Sequence, residues 1–193
     1  GLWAASGTLG SSASGEVRLA LLEILFQASG LPTQIATARF VLWLTQNGFL
    51  EGVKAGVEGR GRNFNTELSS MYVSPPMAES LMDAVPSFAA NVADAHALLR
   101  QQFPLSNSIS NDDFLQIVGE ILSLHSTGAG AHPCTLVVFD ELQQFLGGDL
   151  ERILELQNVV ETCSSQFGSK LLFVATGQAG LGSTPELQKI QDR

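Results

Sequence analysis

Apolar residues recur with a helical period over most of the first two-thirds of this chain. The clearest segment is residues 110–124, whose apolar positions follow the i, i+3, i+4, i+7, i+8 template of one helix face: Phe114, Ile117, Val118, Ile121 and Leu122. Ser110 and Asp113 resemble a capping box at its start. Apolar spacing between turn residues predicts further helices over residues 16–29, 34–46, 49–58, 65–71, 75–84 and 91–102.

Two short runs near the end of the chain lack this helical period. Residues 135–139, TLVVF, are β-branched or apolar throughout and lead directly into Asp140 and Glu141. Residues 171–175, LLFVA, form a second such run. Because these runs contain no polar alternation, they predict strands that are buried on both faces in a parallel sheet. Residues 2–5 are assigned to a further strand ahead of the helices.

The segment between the two runs predicts a crossover helix over residues 150–166. Asp149 is suited to cap its start and Gly168 to end it. A strand, a helix and a parallel strand connect in a right-handed sense, which places Asp140 and Glu141 near Thr176 and Gln178 at the same edge of the sheet. The following residues fall on one stripe of this helix: Leu150, Ile153, Leu154, Gln157, Val160 and Cys163.

An apolar strand that ends in Asp140 and Glu141 has the pattern of a Walker B strand in nucleotide-binding proteins. In such a strand the aspartate holds Mg²⁺ on the nucleotide, and the adjacent glutamate polarises the attacking water. Ligands of open parallel sheets bind at the carboxyl ends of the strands. Thr176 and Gln178, at the tip of the neighbouring strand, are therefore candidates for contact with phosphate.

The residues alone leave a second interpretation of the acidic pair open. An Asp-Glu pair is also an ordinary feature of the exposed first turn of a helix, where it is favourable to the helix dipole. The sequence contains no G-x-x-x-x-G-K-[ST] loop that could cradle phosphates. We therefore interpret the chain as an internal fragment of a larger ATPase whose phosphate-binding loop precedes Gly1.

Short motifs follow one another in the last third of the chain: DELQQF, LQNVVE, TGQ and a final QDR. Their order resembles the P-loop ATPases of BREX and Pgl phage-defence systems, the BrxC and PglY type. Those proteins carry DE-x-x-Q-[YF] after Walker B, an LQ-x-hydrophobic-hydrophobic-E helix, a T-[GS]-Q strand end and L-x-D-R. The matching positions are Asp140, Glu141, Gln144, Phe145, Leu156, Gln157, Val159, Val160, Glu161, Thr176, Gly177, Gln178, Asp192 and Arg193. Upstream, LLRQQFP and MYVSP resemble the family more loosely.

The resemblance implies an α/β fold, with a partial parallel sheet of the additional-strand class of P-loop NTPases and a large helical insertion. On this interpretation residues 1–6 hold a core strand and residues 7–126 form the insertion. Residues 127–193 form the second half of the ATPase core, with the Walker B and sensor strands. We expect the Walker B strand to lie in the middle of the sheet, parallel to both neighbours.

The function implied by the resemblance is hydrolysis of ATP, with Mg²⁺, by the full-length enzyme of a bacterial phage-defence system, whereas the isolated fragment is expected to be inactive. Asp140 would bind the metal and the cofactor, Glu141 would activate water, and Gln178 would sense the γ-phosphate. Thr176 would contact the nucleotide, and Arg193 would act as an arginine finger toward a neighbouring subunit. The implied partners are other phage-defence components and further copies of the chain, as a homo-oligomer.

Two other classes of function stay open. A P-loop relative can lose catalysis and persist as a nucleotide-sensing or scaffolding module, and a related initiator-type ATPase would load DNA. An intact Asp-Glu pair favours hydrolysis over a scaffold. A GKT or GKS loop before Gly1 would separate the enzyme from the scaffold.

Composition limits the partners and the compartment. The chain has a net charge of −9 and a pI near 4.6, so it has no basic footprint for nucleic acid, and DNA contact is assigned to other parts of the full-length protein. No apolar run approaches the roughly 18 residues of a membrane span, and no signal peptide is recognisable, which predicts a cytoplasmic protein without membrane contact. Cys134 and Cys163 are expected to be buried and reduced. His96, His125 and His132 lack the spacing of metal ligands.

Overall fold

The computed structural model describes residues 1–8, 16–126 and 132–176 of the chain. It is a mixed α/β structure with a small parallel sheet, which confirms the coarse fold class predicted from the sequence. The chain forms two compact units. We call Gly1–Gly30 with Asn107–Arg193 the sheet unit, and Leu31–Ser106 the helical unit. None of the described helices is long and apolar enough to cross a membrane.

The sheet contains three strands in the described part of the chain: β1 (Leu2–Thr8), β2 (Cys134–Asp140) and β3 (Leu171–Ala175). Their order is β1-β2-β3, and both neighbouring pairs are parallel. The register aligns Ala5 with Val137 and Val137 with Phe173. The predicted adjacency of the two late strands is therefore confirmed, with the first strand on the other side of β2.

The helices between residues 16 and 124 agree with the predicted boundaries within two residues. The helices are α1 (Val17–Ala28), α2 (Ile35–Gln46), α3 (Leu50–Gly59), α4 (Phe64–Ser69), α5 (Pro75–Ala84), α6 (Val92–Gln102), α7 (Asn111–Leu124), α8 (Leu142–Leu146) and α9 (Leu150–Phe167). The short helix α8 and a 3-10 turn, Gly168–Lys170, are additional to the prediction. Although α1 and α7 fall within the predicted insertion, residues 7–126, they belong to the same compact unit as the sheet. The division of the chain into an insertion and an ATPase core stays a prediction.

The helices α1 and α7 run antiparallel to the strands of the sheet unit. At the amino-terminal ends of the two helices, Arg18 Nη1 donates a hydrogen bond to Asn111 Oδ1 at 3.4 Å. At their carboxyl-terminal ends, Ser29 Oγ and His125 Nε2 are 3.0 Å apart, so the two helices are parallel. Trp3, near the start of β1, stacks on His125 with ring centroids 3.9 Å apart. The amino-terminal ends of these helices therefore lie toward the edge where the strands end.

One face of the sheet is covered and the other is open in the described structure. Alternate side chains are buried on the covered face: Ala5, Thr135, Val137, Phe139 and Leu171. On the opposite face Leu136 and Val138 are only half-buried, and Leu172 and Val174 are 59% and 41% exposed. The prediction that these strands are buried on both faces is wrong, because the helices that contact the sheet, α1 and α9, lie on one side. Cys134, on the open face, is exposed and not buried as predicted.

The helix α9 presents a different stripe to the sheet from the one that spacing alone predicts. Its buried residues are Ile153, Leu156, Val159 and Cys163. Leu150 and Leu154, which fall on the stripe identified from the sequence, are 63% and 64% exposed and do not belong to the buried face. Residues three or four apart share a face of a helix, so both sets fit a helical repeat, and contact with α1 and β3 selects between them. Burial raises the pKa of the Cys163 thiol to about 12, which keeps this sulfur protonated.

The helical unit contains a close contact between α3 and α5. A methyl group at Gly56 would lie 2.9 Å from Ser80 Cβ and Oγ, and one at Gly52 would lie 3.6 Å from Ala84 Cβ. These small residues, one turn apart, let the two helices approach closely. The core of the unit includes Phe40, Leu44, Val53, Val57, Phe64, Leu68, Met77, Leu81, Leu99 and Phe103. Trp43 is a packing residue, since its ring lies against Phe49, Phe88 and Phe103.

Replacing Gly56 by alanine should destabilise the helical unit by about 1–3 kcal/mol, the usual range for an overpacked contact. The added methyl would meet Ser80, whose hydroxyl donates a hydrogen bond to Pro76 O at 2.7 Å and cannot turn away freely. Gly59→Ala is the matched control in the same helix, because a methyl there would meet no atom within 4 Å. It should stabilise the unit by about 0.4–1 kcal/mol. Urea unfolding measures both variants, and equal effects would contradict the close contact.

The stability of the sheet unit should fall in acid, because burial lowers the pKa of His125 from its ordinary value of 6.5. Below pH 6.5 the unfolded chain binds more protons at this ring than the folded chain does, so protonation of His125 favours unfolding. Above pH 6.5 the ring is neutral in both states, so its titration does not change the stability. His125→Gln removes this titration. The free energy of unfolding should therefore decline more steeply with acid in the original protein than in the variant. Superimposable pH profiles of unfolding would contradict this expectation.

Candidate functional site

The carboxyl edge of the sheet carries the predicted acidic pair. Asp140 is the last residue of β2 and is exposed, and Glu141 follows it directly before α8. The register of β2 and β3 continues so that Asp140 and Thr176 are neighbours across the sheet. On the other side, Thr8 at the end of β1 is paired with Asp140. The central strand therefore presents its terminal carboxylate between two threonines.

One hydroxyl group connects both acidic residues to the end of β3. Thr176 Oγ1 donates a hydrogen bond to Asp140 Oδ1 at 2.5 Å. The same oxygen accepts a hydrogen bond from the Glu141 backbone N–H at 3.3 Å. The Thr176 N–H in turn donates to Phe139 O at 2.9 Å, which fixes the threonine backbone to β2. The predicted proximity of Thr176 to Asp140 and Glu141 is therefore confirmed.

Glu141 has a left-handed backbone conformation, with φ 53° and ψ 34°. Among the described residues it is the one non-glycine residue with positive φ. An L-residue in this conformation is strained by about 1–2 kcal/mol, and such strain is concentrated at functional sites. Glu141 is the N-cap of α8 but makes no capping hydrogen bond with its side chain, and the first turn of α8 contains no acidic residue. Glu141 therefore stands immediately before the first turn of α8, and the interpretation of the acidic pair as ordinary carboxylates at a helix start stays open.

The segment after Glu141 is held by apolar packing and by the side chain of one arginine, Arg152. The helix α8 buries Leu142, Phe145 and Leu146. Arg152 of α9 lies over the Phe145 ring, 5.2 Å from its centroid, and its Nη1 donates to Phe145 O at 2.8 Å. Asp149 caps α9, as predicted, by accepting a hydrogen bond from the Glu151 N–H at 2.9 Å. The backbone of Glu141 is thus held from its carboxyl-terminal side as well as by the hydroxyl at the end of β3.

The oxygen donors at this edge suit a hard divalent cation that is shared with a ligand. Asp140 supplies an exposed carboxylate. Within residues 1–8, 16–126 and 132–176 there is no group of three or more His, Cys, Asp or Glu side chains that could hold a metal. Mg²⁺ is usually bound by one or two carboxylates together with phosphate oxygens and water. One exposed carboxylate, that of Asp140, is compatible with a Mg²⁺ ion whose other ligands come from phosphate and water, and the metal-binding role of Asp140 stays a prediction.

A charged cluster ties the start of α1 to α9. The Val17 N–H, in the first turn of α1, donates to Glu155 Oε2 at 3.3 Å, so a side chain of α9 satisfies a helix end that Glu16 leaves uncapped. Arg18 Nε lies 3.0 Å from Glu16 Oε1 and 3.5 Å from Glu155 Oε1. No local sequence pattern indicates this cluster, because Glu155 and Val17 are 138 residues apart in the chain. Its contacts are structural and fix the two helices relative to each other.

The structure brings three of the predicted site residues together: Asp140, Glu141 and Thr176. Gln178 and Arg193 lie outside the described residues, and their roles stay predictions. The spacing of residues in the sequence did not indicate the left-handed backbone of Glu141. Nor did it indicate the two hydrogen bonds of the Thr176 hydroxyl, to Asp140 and to the Glu141 N–H, which we call the hydroxyl bridge. The bridge has a sequence signal nonetheless, since aligning the ends of the two apolar runs puts Thr176 opposite Asp140.

Comparisons with known proteins give no match for this chain. No protein-family model matches it, and neither curated proteins nor solved structures give a match. The resemblance to the ATPases of phage-defence systems therefore stays a prediction from the sequence. The case for a functional site at this edge depends on the geometry of the three residues and on the Walker B pattern.

Glu141→Gly should raise the free energy of unfolding of this chain by about 0.5–1 kcal/mol, since glycine adopts the left-handed conformation without strain. The gain is smaller than the strain itself, because glycine is also more flexible in the unfolded chain. Glu151→Gly is the matched control, because Glu151 lies in the first turn of α9. It should destabilise the chain by about 1 kcal/mol. If both variants lose the same stability in urea unfolding, the proposed strain at Glu141 is absent.

Proposed function

We propose that this chain is part of a protein that hydrolyses ATP with Mg²⁺, and that the edge formed by Asp140, Glu141 and Thr176 is its contribution to the active site. The single observation that carries this proposal is Glu141, a carboxylate in a strained backbone position beside an exposed aspartate at the end of a central parallel strand. The P-loop class of the sheet, with its additional strand, is part of the same proposal. From the resemblance of its last third, we further propose a cytoplasmic ATPase of a BREX or Pgl phage-defence system.

The proposed roles follow from the position of each side chain. Asp140, exposed at the end of β2, would hold Mg²⁺, and the bound ion supplies positive charge that neutralises the phosphates. Glu141 has no capping hydrogen bond to satisfy, so its carboxylate is available to accept a proton from water. Gln178 is proposed to sense the γ-phosphate, and Arg193 to act on the site of a neighbouring copy.

In the full-length protein that contains this chain, Glu141→Gln should lower ATP turnover by a factor on the order of 10² to 10⁴, as for a lost general base. Nucleotide affinity should stay near that of the original protein, because glutamine keeps the size of the side chain and loses only its negative charge. Asp140→Asn should lower both turnover and affinity for Mg-ATP, since it weakens the metal ligand. Steady-state ATPase rates and nucleotide titrations measure both effects.

Glu151→Gln is the control for these substitutions. Its carboxylate lies in the first turn of α9 and is exposed, so the loss of one surface charge should leave turnover and affinity unchanged. Normal turnover in the Glu141→Gln protein would remove the catalytic assignment. Nucleotide binding without turnover in the original protein would instead favour a nucleotide-sensing or scaffolding module, and turnover that requires DNA would favour the initiator-type alternative.

A further inference from the structure

We propose, building on the ATPase function proposed above, that Thr176 is a positioning residue whose hydroxyl fixes the carboxylate of Asp140 and the backbone of Glu141 in one arrangement. The family resemblance assigns Thr176 to contact with the nucleotide. In the structure, however, its hydroxyl is directed to the two acidic residues. Thr176 therefore acts through its neighbours and not on the substrate.

The hydrogen-bonding capacity of the hydroxyl determines the direction of both bonds. A threonine hydroxyl has one hydrogen to donate and lone pairs to accept with. A backbone N–H can only donate, so the bond of 3.3 Å from Glu141 must end on the lone pair of Thr176 Oγ1. The hydroxyl hydrogen is then left for Asp140 Oδ1, at 2.5 Å. One bond uses a lone pair of the hydroxyl oxygen and the other uses its hydrogen, so the two bonds do not compete.

The bridge restricts both acidic residues in the way that the proposed reaction requires. The terminal torsion of an aspartate is broad and soft, and engaging Oδ1 restricts it while leaving Oδ2 available to a cation. The bond to the Glu141 N–H supports a left-handed backbone that is otherwise unfavourable for this residue. Hydrogen-bonded partners of this kind orient metal ligands, and their loss typically lowers metal affinity or activity by about 10- to 100-fold.

Thr8 provides an internal comparison for Thr176. It is paired with Asp140 on the opposite side, at the end of β1, and is also exposed. Among the hydrogen bonds of the described residues, however, none joins the side chains of Thr8 and Asp140. The presence of a threonine beside Asp140 is therefore not sufficient to form the hydroxyl bridge. Thr8→Val removes a hydroxyl next to the same carboxylate and leaves the bridge from Thr176 intact.

The first experiment measures ATP turnover of the full-length protein as a function of Mg²⁺ concentration. Thr176→Val keeps the shape of the side chain and should raise the Mg²⁺ concentration for half-maximal turnover by about 10- to 100-fold. Thr176→Ser keeps the hydroxyl and should restore values near those of the original protein. Thr8→Val should leave the Mg²⁺ dependence unchanged. A Thr176→Val protein with a raised KM for ATP and an unchanged Mg²⁺ dependence would overturn the positioning role and indicate direct contact with the nucleotide.

The second experiment needs no nucleotide and uses the 193-residue chain. Urea unfolding of Thr176→Val, Asp140→Ala and the double variant forms a cycle. We expect the two substitutions to be coupled by about fivefold in the folding equilibrium constant, the usual contribution of one hydrogen bond. In a Glu141→Gly background, Thr176→Val should have a smaller effect, because glycine keeps the left-handed backbone without the hydroxyl. The cycle of Thr8→Val with Asp140→Ala should be additive.

The two experiments separate failure of this inference from failure of the proposed function. Additive effects of Thr176→Val and Asp140→Ala would overturn the bridge, whatever the protein does with ATP. Coupling in the isolated chain, together with no ATP hydrolysis by the original full-length protein, would overturn the ATPase function and leave the bridge in place. Coupling together with the shifted Mg²⁺ dependence supports both.

Discussion

Parallel pairing on both sides of β2 is the constraint on which the rest of this structure depends. In a parallel sheet all strands end at one edge, so segments from distant parts of the chain bring their last residues together. The side chains of residues paired in register also point to the same face. A shift of β3 by one residue would turn Thr176 away from Asp140, since successive side chains of a strand alternate between faces. The register therefore decides whether the hydroxyl bridge exists.

Apolar packing on the covered face is what holds that register. Val137 and Phe139 of β2 are buried, and the Phe139 ring stacks on Phe173 of β3 with centroids 5.6 Å apart. On β1, Gly7 lets α1 approach the strand, because a methyl group there would lie 2.9 Å from Ile24 Cγ1. The polar chemistry at the edge is thus positioned by contacts that contain no polar atom. The open face contributes less to this, because its side chains are exposed or half-buried.

The features that could be predicted from the sequence are those with a local cause. The ends of α7 and α9 follow from Ser110 and Asp149, each of which accepts a hydrogen bond from the first turn of its helix. The adjacency of β2 and β3 follows from two apolar runs joined by a helix, whereas the place of β1 beside β2 was implied by the family resemblance. The buried face of α9 and the open face of the sheet could not be predicted in this way. Both depend on which surfaces meet in three dimensions, and a helical repeat or an apolar run is compatible with more than one answer.

The left-handed backbone of Glu141 could not be predicted from the local sequence either. Elsewhere in the described chain a positive φ occurs at glycine: Gly30, Gly48, Gly61, Gly147, Gly148 and Gly168. A local rule would therefore place glycine at position 141 as well. The strain of about 1–2 kcal/mol is offset by the hydrogen bond to the Thr176 hydroxyl, of about 1 kcal/mol, and by burial of the apolar side chains of α8.

This balance explains how a glutamate can occupy a position whose backbone favours glycine. If only the turn from β2 into α8 mattered, glycine would make the same turn without strain, and the bridge from β3 would have nothing to support. The Glu141 side chain makes no capping hydrogen bond in α8, so hydrogen bonding to the helix does not explain its presence. What distinguishes glutamate from glycine here is an acidic side chain next to Asp140, on a backbone that is held by the hydrogen bond to Thr176. On the function proposed above, that difference serves chemistry at the edge of the sheet.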